Sequence, residues 1–337
     1  METVTLSPAL PRVSRLAFGS LTVSPLQASP EPERAADIIA YAFERGVNFI
    51  DTAQYYNNYH IIRRAFEKSK ASDGVVLSTK TYAYDRAGAR EAVEQARRET
   101  GRDVIDIFML HEQESINTLR GHMEALEYLF ECRERGIIRA VGASMHHIAA
   151  VRGACELAAE GMKLDVIHPI YNKLGVGIVD GDREQMASAV AAAHDLGIGV
   201  FGMKALGGGH LISSAAEAFD FVLDSPFIDA VAVGMQSYDE VDANIDYFTR
   251  RAFEKKHIAA LGEKKRYLHV EDYCEGCGAC VKRCPARAMS LCEVEDCADP
   301  NDEFYRPHTH RAVCDTDKCV LCGYCSGVCP VFAVKVY

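Results

Sequence analysis

The sequence predicts an α/β chain in which a closed, parallel (β/α)8 barrel is followed by a small α+β domain. Three observations carry this. From residue 14 to residue 254 short apolar runs alternate with amphipathic helical patterns. Of the thirteen cysteines only Cys132 and Cys155 precede residue 274, so the composition changes abruptly near residues 255–270. Beyond that change one cysteine spacing occurs twice. The expected domains are residues 1–258 and 259–337.

The apolar runs read as strands at Arg15–Phe18, Asn48–Thr52, Val75–Lys80, Ile105–His111, Ile138–Ser144, Val166–Asn172, Gly199–Met203 and Ile228–Met235. Between them Glu33–Arg45, Arg86–Thr100, Leu119–Arg135 and Glu184–Leu196 carry helical spacing. Gly46, Gly101, Gly136 and Gly197 follow these helices where a left-handed C-terminal cap is needed. Eight strand–helix units close into a TIM barrel. The competing doubly wound sheet lacks a G-x-G-x-x-G opening an early helix.

Barrel chemistry gathers at the C-terminal ends of the strands. Asp51, Lys80, His111 and Ser144 stand there on the second to fifth strands, with Tyr56 in the loop after Asp51. A lysine kept charged by an aspartate can lower a neighbouring tyrosine's pKa, giving a phenol that donates and recovers a proton near neutral pH. A histidine beside it can orient or polarise a carbonyl oxygen. The plain readings are an Asp–Lys ion pair, loop packing for Tyr56 beside Tyr55, and a loop hydrogen-bonder for His111 beside Glu112.

The two cysteine runs are Cys274-x-x-Cys277-x-x-Cys280-x-x-x-Cys284-Pro285 and Cys319-x-x-Cys322-x-x-Cys325-x-x-x-Cys329-Pro330. Three thiolates two residues apart can wrap one iron–sulfur cube. Small residues inside the runs, among them Gly276, Gly278, Ala279 and Gly323, let backbone N–H groups approach the sulfurs. Zinc also takes four cysteines, but a third C-x-x-C step ending in Cys-Pro is not a zinc pattern. The spacing resembles that of bacterial two-cluster ferredoxins, in which the last cysteine of each run serves the other cluster. The resemblance implies two 4Fe-4S clusters, one on Cys274, Cys277, Cys280 and Cys329, the other on Cys319, Cys322, Cys325 and Cys284. Ala288–Leu291 and Ala333–Val336 resemble the strands of such a domain, and a domain this small needs staples.

The barrel residues resemble a second family. Asp51-Thr52-Ala53-x-x-Tyr56, Ser78-Thr79-Lys80, strand-end His111, Val141-Gly142-Ala143-Ser144, Arg15–Ser20 and Met203–Gly209 are similar to the aldo-keto reductases. The whole chain resembles their ferredoxin-fused branch. This implies Tyr56 as proton donor, Lys80 and Asp51 as the pair tuning its pKa, and His111 as substrate orienter. Ser144, Asn172, Lys204 and Gly207 are the candidates for cofactor contact. The usual nucleotide ligands of the family are altered here: Gly234 and Glu240 stand where Lys and Arg are expected, Met145 replaces Asn, His168 replaces Gln, and Met203 replaces the stacking aromatic. A 2′-phosphate prefers an Arg fork, and Glu240 repels it.

NAD(P)H use therefore stays open, and flavin has no motif here. The leading expectation is an iron–sulfur oxidoreductase acting on a small carbonyl-type substrate. It takes electrons from a ferredoxin-like or other electron-transfer partner. A nicotinamide-dependent reductase with a docking ferredoxin domain, and an electron-transfer subunit on an idle barrel, are the alternatives. A net charge of −11 speaks against nucleic acid and anionic membranes. No apolar run reaches a membrane span, no secretion signal opens the chain, and thiolates and clusters point to the cytoplasm. Cys292, Cys297 and Cys314, with His308 and His310, lie in an insert between the runs and read as spare thiols more readily than as a third metal site. Phe304 and Tyr305 mark that insert as a lid or partner contact.

Overall fold

The computed structural model describes residues 1–25, 30–209, 211–257, 267–284, 286–294, 309–319 and 325–336. The chain divides into two compact units, Met1–Ala205 with Ala216–Gly262, and Leu206–Ala215 with Glu263–Tyr337. The expected domain boundary at residues 258 and 259 lies outside the described residues. The segment Leu206–Ala215, which contains Gly207–Gly209 of the stretch that resembles the aldo-keto reductases, groups with the second unit.

The first unit is a closed barrel of eight parallel strands. They are β3 (Leu16–Gly19), β4 (Phe49–Asp51), β5 (Val76–Thr81), β6 (Ile105–Gln113), β7 (Ile138–Met145), β8 (Val166–Pro169), β9 (Gly199–Met203) and β10 (Ala230–Gly234), with β10 pairing both β9 and β3. Helices α1 (Pro32–Glu44), α2 (Tyr59–Lys68), α3 (Arg86–Thr100), α6 (Ile148–Ala159), α7 (Arg183–Asp195), α8 (Ala215–Leu223) and α9 (Tyr238–Arg250) follow their strands. The stretch expected as one helix over Leu119–Arg135 is instead two, α4 (Ile116–Gly121) and α5 (Met123–Glu134), joined at His122. A capping box of Ser115 and Thr118 starts α4 three residues earlier than the apolar spacing suggested. The four cap glycines all adopt positive φ, between 71° at Gly136 and 92° at Gly46.

Before the barrel, β1 (Thr3–Val4) and β2 (Val13–Ser14) form a hairpin. Its Leu6, Leu10 and Val13 share one apolar cluster with Phe49, Val76, Val166 and Ala230, which begin or nearly begin their strands. The hairpin thus plugs the N-terminal end of the barrel. Each buried leucine there is worth about 1.5–3 kcal/mol. The opposite end is left for chemistry.

In the second unit β11 (Leu268–Val270) pairs antiparallel with β14 (Val334–Val336), and β12 (Met289–Glu293) with β13 (His310–Cys314). Each cysteine run therefore has a strand before and after it, and the outer strands pair as the inner ones do. A short helix, Ala279–Arg283, lies within the first run, and a 3-10 turn, Ser326–Val328, at the matching place in the second. Cys274, Cys280, Met289, Ala312, Cys325, Ala333 and Val334 form its apolar core. Among the described residues no helix is long and apolar enough to cross a membrane.

Candidate functional site

The strand ends bring Asp51, Lys80 and His111 together, and the turn Gln54–Tyr56 after β4 adds the phenol. Lys80 Nζ donates to Asp51 Oδ2 and to the Thr52 carbonyl oxygen, each at 2.7 Å. Ser78 Oγ donates to Asp51 Oδ1 at 3.0 Å. Lys80 Nζ lies 5.3 Å from the centroid of the half-buried Tyr56 ring. The His111 ring meets Tyr56 edge-on at 5.8 Å and stacks on Tyr82 at 4.4 Å and 25°. His111 Nδ1 is buried and has no hydrogen-bond partner among the described residues.

Burial and charge set the protonation states. Burial alone would raise the Asp51 carboxyl, but Lys80 and then His168 hold it well below the usual carboxylate range. Burial lowers the Lys80 ammonium, and Asp51 opposes that. Burial, then the Lys80 charge, push His111 well below its ordinary value, so its ring is neutral. Tyr56 departs from the expectation. Burial, then the Asp51 and Glu112 carboxylates, raise its phenol well above the ordinary value. The reason is geometric: Asp51 has captured the lysine's charge, so Lys80 does not lower the phenol. Tyr56 therefore holds its proton.

Residues outside the expected set complete the site. Tyr82, one residue beyond the end of β5, continues the alternation of Ser78 and Lys80, so the two-residue period could have pointed to it. The Tyr82 hydroxyl donates to Glu112 Oε2, and Glu112 lies at φ 48° with its N–H bound to Ser144 Oγ at 2.8 Å. His168 lies 3.6 Å from Asp51 Oδ2 through Nε2.

The four residues offered as cofactor contacts are less uniform. Ser144 is buried and accepts from Glu112. Asn172 lies beyond the end of β8. Its Oδ1 accepts from Leu174 and Val176 N–H, and its Nδ2 donates to the Val176 carbonyl, so its amide closes its own loop. Lys204 sits at φ 56°, just after β9. Gly207, in the second unit, adopts φ 57°. At the altered positions, Met145 is fully buried. A Cβ at Gly234 would stand 2.2 Å from Thr22 Cγ2. Glu240 belongs to the start of α9: Ser237 Oγ accepts from its N–H at 3.2 Å, and its carboxylate accepts from Gln236 N–H at 2.6 Å.

In the second unit one cavity is lined by Cys274, Cys277, Cys280 and Cys329, the four cysteines assigned to one cluster, with Leu291 and Val334 on its walls. Gly276 at φ 63° lets the run turn where a Cβ would meet the His310 carbonyl oxygen at 2.4 Å. Ala312 N–H points at Cys274 Sγ at 3.5 Å, and Ala288 and Ala333 N–H at Cys284 and Cys329 Sγ at 3.2 Å. Apolar walls, gathered thiols and inward N–H groups fit a sulfur-ligated cluster. Burial, chiefly, raises the Cys280 thiol, and burial pushes the Cys325 thiol up to about 12, with Cys280 and Cys284 adding to it. Such thiols need a bound cation to ionise. For the other set, Cys284, Cys319 and Cys325 are described. Cys322, like Pro285, Cys297, Phe304, Tyr305 and His308, lies outside the described residues. Cys292 and Cys314 stand on the paired strands β12 and β13.

A model of the aldo/keto reductase family matches residues 15–214, more than half the chain, and one of the 4Fe-4S binding domain matches residues 267–290 and 315–335. The chain belongs to the aldo/keto reductase family and carries a C-terminal 4Fe-4S binding domain. An aldo-keto reductase of Mycolicibacterium paratuberculosis is 30% identical over 117 residues, covering 34% of this chain and 40% of that protein. NADH-quinone oxidoreductase subunit I of Pelobacter propionicus is 33% identical over 63 residues, 19% of this chain and 32% of the relative. The chain thus spans less than half the length of either. Among solved structures, aldo-keto reductase AKR11C1 of Bacillus halodurans superposes with a TM-score of 0.60 at 20% identity, over 77% of this chain and 96% of that one. A Bombyx mori aldo-keto reductase in complex with NADP gives 0.59 at 15% identity, over 77% and 92%. At these identities the likeness speaks for the barrel alone.

Proposed function

We propose that this protein reduces a small carbonyl compound, or oxidises the matching alcohol, at the barrel mouth, using electrons that enter through two 4Fe-4S clusters from a ferredoxin-like partner. One observation carries the reading. The acid–base group of Asp51, Lys80, Tyr56 and His111 is assembled, while the positions that would grip a nicotinamide nucleotide are committed elsewhere in the barrel. Gly234 is closed by Thr22, Glu240 caps α9, and Asn172 closes its loop. Cys274, Cys277, Cys280 and Cys329 would hold one cluster, and Cys284, Cys319, Cys322 and Cys325 the other. Bound clusters supply electrons singly.

The chain's own residues handle the substrate. Neutral His111, with a bare buried Nδ1 and a ring held by Tyr82, orients the carbonyl oxygen. Two electrons and two protons turn the carbonyl into the alcohol: Tyr56, whose phenol stays protonated at rest, gives the oxygen its proton, and the second proton, which ends on carbon, comes from solvent. Lys80 Nζ lies 5.3 Å from the centre of the ring that carries the phenolate left behind. The exposed tyrosines Tyr55 and Tyr82 meet edge to face at 5.9 Å and flank the entrance.

The test is an anaerobic titration of purified, cluster-loaded protein with NADPH and NADH, beside a reduction of the clusters followed by addition of small aldehydes. The reading expects weak nucleotide binding and substrate-dependent reoxidation that Tyr56→Phe abolishes. Micromolar nucleotide binding with stoichiometric hydride transfer would favour the nicotinamide-dependent alternative instead.

A further inference from the structure

His168 ends up against the catalytic carboxylate. Its ring is buried on β8 and stacks on Phe201 at 4.0 Å and 17°, and its Nδ1 lies 2.6 Å from the Phe201 carbonyl oxygen. A carbonyl only accepts, so Nδ1 carries the proton and Nε2 is the nitrogen left over. Nε2 faces Asp51 Oδ2 at 3.6 Å, the oxygen that accepts from Lys80 at 2.7 Å. That separation is too long for a hydrogen bond but suits an ion pair once Nε2 is protonated. Asp51 Oδ1 is already taken by Ser78. One carboxylate thus has one cation in contact and a second basic group beside the same oxygen.

The charged and titratable groups around this spot are Asp51 at the end of β4, Tyr56 in the turn after it, Lys80 on β5, His111 and Glu112 on β6, and His146 after β7. When Tyr56 gives up its proton, the new phenolate calls for the Lys80 ammonium. Lys80 cannot turn to it without stripping a buried carboxylate of the cation that contacts it, and an unpaired buried charge is strongly disfavoured. A second cation on Asp51 removes the conflict.

We propose that His168 is a positioning residue that serves as the reserve cation of Asp51. The inference rests on the reading of Tyr56 as proton donor. The Tyr56 proton leaves for the substrate oxygen, a solvent proton arrives on His168 Nε2, and Asp51 passes from Lys80 to the imidazolium. The phenolate and the imidazolium cancel, so the net charge of the buried group does not change. A glutamine at this position cannot become a cation, which makes the histidine specific to the role.

The experiment is imidazole nitrogen NMR on full-length, cluster-loaded, oxidised protein with 15N-labelled histidine, the His168 signals being assigned with His168→Gln. At neutral pH the wild-type ring is expected to carry its proton on Nδ1 and none on Nε2. In Lys80→Met, where Asp51 has lost its ammonium, Nε2 is expected to gain a proton at the same pH. The Lys80→Met/Asp51→Asn double variant should return it to the bare state. A bare Nε2 in Lys80→Met, or a wild-type ring protonated on Nε2 alone, overturns the proposal. Should Lys80→Met not fold, as judged by circular dichroism, Asp51→Asn alone decides. The Nε2 resonance must then shift while Nδ1 stays put, and an unmoved Nε2 refutes the role. These spectra need neither substrate nor electron donor. A failure of the electron-entry reading would show in the nucleotide titration and leave them unaffected.

Discussion

Lys80 places its ammonium 2.7 Å from Asp51 Oδ2 and 5.3 Å from the centroid of the Tyr56 ring, so the carboxylate, not the phenol, holds the buried cation. The two residues therefore separate in their variants. Lys80→Ala takes the contacting ammonium from a buried carboxylate and leaves it only the His168 ring at 3.6 Å, so it is expected to cost about 1–3 kcal/mol of stability along with activity. Tyr56→Phe keeps the ring and its packing. It should lose about 10²–10⁴-fold in turnover while shifting stability by less than about 1 kcal/mol. Urea unfolding and turnover on the same preparations check this. Equal destabilisation by both variants would contradict the geometry.

Acid should weaken the barrel, and the sign follows from the buried rings. Burial and, for His111, Lys80, or, for His146, Lys204, hold both imidazoles well below their ordinary value. The unfolded chain binds protons on them below about pH 6.5 while the folded chain does not. Stability from these rings is thus present above that pH and is lost as the pH falls. Asp51, held below the usual carboxylate range, adds a further loss below about pH 4. The urea midpoint is expected to drop between pH 7 and pH 5, and His111→Gln/His146→Gln to flatten that drop. A wild-type midpoint independent of pH in this window would show that the rings are not buried neutral.

Tyr82 is expected to govern His111 through stacking. With Nδ1 unpartnered among the described residues, the ring is held by Tyr82 at 4.4 Å, and Tyr82 is tied by its hydroxyl to Glu112. Tyr82→Phe cuts only the tether and should cost a few-fold in turnover. Tyr82→Ala removes the platform and should cost at least tenfold, since misplacing a reacting group by an ångström costs about 10²-fold. Equal kinetics of the two variants would mean that the stack is incidental.

The cysteine pairing is open to a direct count. Cys329 lines the same cavity as Cys274, Cys277 and Cys280 although it belongs to the second run. Cys329→Ser and Cys280→Ser should therefore remove the same cluster, each halving iron and sulfide and leaving the same remaining electron paramagnetic resonance signal after reduction. If Cys329→Ser instead matches Cys319→Ser, the runs do not exchange their last ligands.

Most of the barrel was readable because its strands are apolar runs and four of the helices end at a capping glycine, and those signals are local. Asp51, Lys80 and His111 were readable because barrel chemistry has a fixed address at strand ends. What the sequence concealed is which partner a charge selects. Nothing in Ser78-Thr79-Lys80 says that the ammonium settles on Asp51 and Thr52 rather than on Tyr56, which is why the phenol is raised rather than lowered. Asn172 read as a strand end, but β8 stops at Pro169 and its amide folds back on Val176. The role of Glu240 as a helix-start residue was legible as Ser237-x-x-Glu240.

Restoring a nucleotide site should fail unless the barrel is opened first. Glu240→Arg supplies the absent guanidinium but removes the carboxylate that accepts from Gln236 N–H, a loss of about 1 kcal/mol for a helix start. Gly234→Lys places a Cβ 2.2 Å from Thr22 Cγ2, and Thr22 is a short branched side chain that cannot swing far; its hydroxyl also reaches the Gly19 carbonyl at 3.3 Å. The pair Gly234→Lys/Glu240→Arg is therefore expected to gain little affinity for NADPH, while adding Thr22→Ala relieves the clash and should tighten binding at least tenfold over the pair. Calorimetric titration of NADPH into the three proteins decides it. If the pair alone binds as tightly as the triple variant, Thr22 is not what keeps a lysine out, and the absence of the basic pair has no structural cause at Gly234.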